Sequence, residues 1–288
     1  MNKFDLKNTK NQTIVLSKLN RFNKTILFFI ASLILIQTSI SSAYIPEIGF
    51  ILKKSSLTTG KSILQIEQEV TFKIGDEEAK IDETWLIEGD KNLKMKAVGK
   101  NLYKDNIKLN YLYNGKNKTY FSGKNKIINS TPQDFYQKYL FIRSQNSFLE
   151  YLKELNISSN VRLSRADGIV SFLIGQASDK ILNPHIWIGQ EDFILRKIRM
   201  PSGSEISLGQ ITNLAKETNI AKSQTISWLS TQSNANVVVQ IKIKKINVSV
   251  KENINSFYPQ NIENPSEINF SNTTILSSVI EEFYSRFR

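Results

Sequence analysis

There is no cysteine among the 288 residues. That excludes disulfides, thiolate zinc sites, cysteine nucleophiles and a lipidated cysteine behind an export signal. Histidine occurs once, as His185, which removes His-rich metal centres and the HExxH helix. His185 follows Pro184 in a stretch that reads as a strand, and no GxSxG elbow accompanies it. An ordinary sheet histidine is therefore favoured over a catalytic one. Neither a P-loop nor a GxGxxG turn is present, so the glycine-rich cradles for nucleotide phosphates are missing. A bilayer core takes ~20 apolar residues, and the apolar run Ile26–Ile36, broken by Ser32, falls short of that.

Composition around that run gives it a different meaning. Six cations (Lys3, Lys7, Lys10, Lys18, Arg21, Lys24) and Asp5 precede it, and Ser41-Ser42-Ala43 follows. A charged region, an apolar run and a small-residue site in that order read as a secretory signal, residues 1–43, cleaved after Ala43. The basic region is long, so an uncleaved inner-membrane anchor is the alternative. Subtracting the leader's six cations and one anion from 38 and 26 leaves 32 and 25, a net charge of +7 on residues 44–288. These cations are spread along the chain, whereas a nucleic-acid binder concentrates them on one element. No nucleic-acid partner is expected.

Hydrophobic periodicity organises the rest. Pro46–Thr59 suits a short amphipathic helix closed by Gly60. Leu64, Ile66, Val70, Phe72 and Ile74 alternate with polar residues, as do Ala79, Ile81, Trp85 and Ile87, then Leu93, Met95 and Ala97. Those are half-buried strands in a meander. Ile107, Leu109, Tyr111 and Tyr113 share a face, Asn114-Gly115 is a two-residue hairpin signal, and Thr119–Phe121 begins the return strand. The period then becomes helical: Thr131-Pro132 starts a segment with Phe135, Tyr139 and Ile142, and Phe148, Leu149, Leu152 and Leu155 follow a break at Ser144–Ser147. Strands resume over Gly168–Gly175, His185–Ile188 and Phe193–Met200, with weaker candidates at Ile206–Ile211 and Thr225–Leu229. In Val237–Val250 the apolar phase slips, which calls for a bulge near Lys245. Ser256–Ser266 reads as a linker. Ile275, Leu276, Val279, Ile280, Phe283, Tyr284 and Phe287 then form the stripe of a last helix, which docks on its own domain or on a partner protein or membrane surface.

Two functional readings arise from these residues alone. Glu67 and Glu69 share a strand face and imitate a catalytic carboxylate pair, although paired acids on a wet strand face are commonplace. Trp85, Ile87, Met95, Tyr111, Tyr113, Phe121, Trp187 and Trp228 make an apolar, aromatic sheet face. They pack as a core against the helices or line a cavity for an acyl chain that the helices cover incompletely.

The order of elements, export signal, helix, meander, helical insertion, hairpin and closing strands, resembles the lipoprotein-carrier superfamily of LolA/LolB-like half-barrels. Lys61–Phe72 (KSILQIEQEVTF) looks like the family's first strand. Pro184–Ile198 (PHIWIGQEDFILRKI) is similar to its P-x-x-W-I to F-L-x-R-K hairpin. Ile246–Pro259 (INVSVKENINSFYP) looks like its closing segment. The stretch Gly89–Gly99 lacks the family's Arg-Pro element, and the tail beyond Pro265 is additional. The resemblance implies an α+β fold, an open antiparallel β half-barrel wrapped around helices over residues 44–258, with 259–288 as linker and C-terminal helix. It further implies a periplasmic, non-enzymatic carrier that binds lipid or lipoprotein acyl chains, needs no cofactor and meets an inner- or outer-membrane partner protein. An envelope sensor or interaction module on the same fold is the alternative.

Overall fold

The computed structural model describes residues 45–57, 63–89, 92–176, 183–215, 218–248, 257 and 265–288. The expected signal segment and most of the Ser256–Ser266 linker lie outside them. The described strands join in one antiparallel sheet: β1 (Leu64–Ile74), β2 (Glu77–Glu88), β3 (Asn92–Gly99), β4 (Ile107–Asn114), β5 (Asn117–Ser122), β6 (Asn125–Ser130), β7 (Val161–Ala166), β8 (Ile169–Ile174), β9 (His185–Gly189), β10 (Leu195–Arg199), β11 (Glu205–Ala215), β12 (Thr218–Leu229) and β13 (Asn236–Val248). Their order is β6-β5-β4-β3-β2-β1-β13-β12-β11-β10-β9-β8-β7, so the sheet is open, and a short β14 (Glu267–Ile268) pairs with β4.

Two meanders therefore meet where β1 pairs with β13. Local turn chemistry makes each hairpin cheap. In Asn114-Gly115, Gly115 takes the φ of +61° that a tight hairpin needs and a side chain resists. The slip expected near Lys245 is present: Glu67 pairs with Lys245 and Gln68 with Ile243, leaving Lys244 as the extra residue. Val237, Val239, Ile241 and Ile243 consequently keep facing the core.

The helices lie on one face. Helix α1 (Ile48–Ser56) packs against α2 (Gln145–Glu154), whose Ser144 caps its N-terminus by accepting from the Ser147 amide. The expected helix from Thr131-Pro132 is instead a 3-10 segment, Tyr136–Phe141. Its rings still reach the core because a three-residue turn brings Tyr136 and Tyr139 to one side, stacked with centroids 6.3 Å apart. Three strands went unread: Asn125–Ser130, almost wholly exposed, Val161–Ala166 at the far edge, and the two-residue β14. Each is too short or too exposed for its alternation to stand out. Helix α3 (Ile275–Phe287) completes this layer against β1 and β2, capped by Thr274. Among the described residues no helix is long and apolar enough to cross a membrane.

Candidate functional site

Six of the eight sequence-picked residues converge. Trp85, Ile87, Met95, Tyr111, Tyr113 and Trp228 are all buried on the sheet's inner face in the main core, the first five on adjacent strands β2–β4 and Trp228 on β12, three strands from Trp85. Two do not join them. Phe121 is half-buried outside that core, because on β5 the inward positions are Lys118 and Tyr120, and Phe121 has the opposite parity. Trp187 packs with Ala166 and Leu173 in a separate cluster. Every residue of β9 is buried, so alternation could not reveal that Ile186 and Ile188 face the main core while Trp187 faces away.

The inner face is occupied by α3. Leu276, Val279, Ile280, Phe283, Tyr284 and Phe287 are all buried. Phe283 meets Phe72 edge-on at 5.0 Å, and Phe287 meets Trp228 at 5.1 Å. A buried side chain of this size contributes ~1.5–3 kcal/mol of apolar transfer, so the stripe accounts for the helix's position.

Polar groups fix its register. Arg288 and Glu83 are an ion pair at 3.1 Å with both side chains 0 % exposed. Glu83 stands among Ala79, Ile81, Trp85 and Ile87 on the inward parity of β2, a charge in an apolar row. Its Oε2 accepts from Gln68 Nε2 at 2.6 Å and Trp85 Nε1 at 2.9 Å. Burial works against the Arg288 charge, yet the Glu83 carboxylate holds the guanidinium above its ordinary pKa. Arg286 donates to buried Asp134 at 2.6 Å, and Asp134 also accepts from Ser202 and Ser204. Lys118 donates to the Arg288 carbonyl at 2.5 Å and lies 3.7 Å over the Tyr111 ring. Burial first, and the Arg288 charge second, bring Lys118 down to about 7. Gln68, Glu83, Lys118 and Asp134 were passed over in the sequence, although Glu83's place in an apolar alternation was a legible signal.

The open space borders α3. A cavity of about 440 Å³ is lined by Tyr111, Lys118, Tyr120, Ser266, Glu281 and Tyr284 among others. A second, of about 380 Å³, lies against α2 beside Lys138, Phe141 and Glu150. Next to Trp85 and Tyr136 only about 10 Å³ is left. The other candidate chemistry is elsewhere. Glu69 accepts from Lys100 at 2.8 Å and Lys244 at 2.9 Å, and these partners hold its carboxyl down at about 2. A group so held has no proton to give near neutrality. His185 is a sheet residue whose Nδ1 is 2.7 Å from the Asn183 carbonyl and whose ring meets Trp187. No cluster of metal-ligating side chains occurs among the described residues.

The geometry, an open antiparallel sheet curled around helices on one face, is the LolA-like half-barrel fold. Solved structures of that fold match the chain in fold at low sequence identity. An outer membrane lipoprotein-sorting protein domain from Vibrio parahaemolyticus matches with a TM-score of 0.52 at 8% identity, covering 76% of this chain and 98% of that one. A LolA superfamily protein from Nitrosomonas europaea gives 0.51 at 11%, with 74% and 98% covered. A DUF1329 family protein from Desulfovibrio piger gives 0.50 at 9%, with 75% and 97% covered. No protein-family profile and no curated protein matches the sequence.

Proposed function

We propose that this chain is a periplasmic, non-enzymatic binding or carrier protein for lipid or lipoprotein acyl chains, exported by residues 1–43. The observation that carries this reading is the inner face, where Trp85, Ile87, Met95, Tyr111, Tyr113 and Trp228 form one apolar floor. Two solved structures of the same fold are an outer membrane lipoprotein-sorting protein domain and a LolA superfamily protein, which supports the choice of ligand. Binding is simple burial: each methylene taken from water contributes ~0.8 kcal/mol. The openings beside the helices are of ligand size, but the floor itself is covered by α3 and leaves only about 10 Å³ beside Trp85 and Tyr136, so α3 moves aside to admit a chain onto it. Lipid extraction from the purified protein with mass spectrometry, together with uptake of a fluorescent acyl probe, tests this. Absence of bound lipid and of probe uptake together would overturn it.

One observation favours the second reading, an envelope sensor or interaction module. The inner face holds a peptide helix, the kind of occupant a helix-in-groove partner presents. Deleting residues 271–288 separates the two. Loss of a protein partner with acyl binding intact supports the sensor, and gain of acyl binding supports the carrier.

A further inference from the structure

A floor built for acyl chains alone has no use for a carboxylate. Glu83 sits in that floor beside Trp85 on β2, and burying it without a cation is expensive. The sheet prepares it asymmetrically. Gln68 and Trp85 both donate to Oε2, while Oε1 is left to Arg288 Nε. Around that cation stand aromatic walls: the Arg288 guanidinium carbon lies 5.1 Å from the Trp85 ring centroid and 5.6 Å from that of Tyr136, with Phe283 of α3 at 4.7 Å. A carboxylate with aromatic faces is the arrangement that recognises ammonium ions.

Arg288 fits it imperfectly. Its Nη2 is buried with no hydrogen-bond acceptor. A guanidinium brings five N–H donors, more than the cage can receive, whereas a primary ammonium brings three and a fully alkylated one none. The rest of α3 supplies the template for what accompanies the cation, an apolar body of Val279, Ile280, Phe283 and Phe287 lying along the floor.

We propose that Glu83, Trp85 and Tyr136 form a cation cage at the floor of the acyl site, occupied here by the chain's own Arg288, and that the ligand displacing α3 is an acyl amphiphile bearing an ammonium group. This rests on the acyl-binding reading above. A fatty acid would set its carboxylate against Glu83 and is disfavoured. An aminolipid and a lipopeptide with a free amino terminus share the required chemistry.

The test uses the full chain, whose lack of cysteine allows a single reporter at Ile275→Cys, exposed on α3 and outside the cavity linings. An alkyltrimethylammonium and a fatty acid of equal chain length are titrated against it. The ammonium amphiphile should bind more tightly by roughly tenfold, the scale of a desolvated cation–π contact, and should release α3. Glu83→Gln should bring the two affinities together. Arg288→Gln, which frees Oε1 and loosens α3, should tighten binding of both amphiphiles, the ammonium one by the larger factor, and it carries the test if Glu83→Gln fails to fold. Preference for the fatty acid, or an ammonium preference unchanged in Glu83→Gln, overturns the cage. Equal binding of both amphiphiles whatever stands at position 83 overturns the cage and leaves acyl binding standing. No uptake of either by any variant in which the reporter shows α3 released overturns both. Titrating an aminolipid and a lipopeptide, each beside its N-acetylated form, identifies the source as the one that acetylation weakens. No loss on acetylation of either counts against the cage.

Discussion

Asp82 and Glu83 are consecutive residues on one strand, yet they belong to opposite electrostatic worlds. Asp82 faces outward into a cluster with Lys244 at 3.0 Å and Lys100 at 3.7 Å, where Glu69 completes a four-membered network and side chains are up to half exposed. Glu83 faces inward to a single guanidinium in a fully buried pair. The outer charges can be solvated when a partner is lost, so each pair contributes little. The inner ones have no such alternative, and the cost of breaking the pair far exceeds its net value. One strand thus carries a forgiving carboxylate and an unforgiving one, separated only by the pleat.

The largest expected effect follows from that asymmetry. Arg288→Ala leaves Glu83 buried without a cation and should cost ~3–5 kcal/mol, read from urea unfolding. The double change Glu83→Gln with Arg288→Met removes both charges and should recover most of the loss. A single-variant cost no larger than that of an exposed pair would erase the distinction between the faces.

Arg286 lies between the two extremes. Its partner Asp134 is buried, but the Ser202 and Ser204 hydroxyls continue to donate to it. Arg286→Ala should therefore cost about 1.5–3 kcal/mol, the range for a hydrogen bond to a charged group. Adding Ser202→Ala and Ser204→Ala should deepen the loss more than additively, because Asp134 would then lack all three partners.

These contrasts also explain what could be read from the residues. Alternation in Leu64–Ile74 and Ala79–Glu88 announced the strands, and the phase slip in Val237–Val250 located the bulge at Lys244 to within a residue. Six of the aromatic and apolar floor residues followed from the same parity. Glu83 and Gln68 interrupt that parity, and a pattern read for apolar residues steps over them. Their meaning depends on Arg288, 205 residues distant from Glu83, a pairing that only the fold creates. Trp187 failed for a different reason: with both faces of β9 covered, period two carries no information about side. The stripe of α3 was legible, but not the surface it would cover, since amphipathicity states that a face is buried and not against what.

Proton linkage provides a probe of the inner face that leaves its packing intact. Lys118 has a folded pKa near 7 against 10.5 for the free group. Below about 7 it is charged in both states and the burial penalty is fully present. Between 7 and 10 the unfolded chain binds the extra proton, so stability should rise with pH over that window. Thermal melts of Lys118→Met should lose the slope. A slope that survives the substitution assigns the linkage to another group.

The outer face should respond least, and in the opposite pH range. Lys244→Ala removes one of two lysines from Glu69 and should cost ~0–1 kcal/mol, a difference that shrinks further at high ionic strength. Glu69 is held at about 2 against 4.5, so its contribution is present above 4.5 and is lost as pH falls towards 2. Glu69→Gln should flatten acid unfolding across that interval, and Lys244→Ala should narrow it, because Lys100 remains 2.8 Å away to hold the carboxylate. Were Lys244→Ala instead to match Arg288→Ala in cost, exposure would not be what separates the two carboxylates.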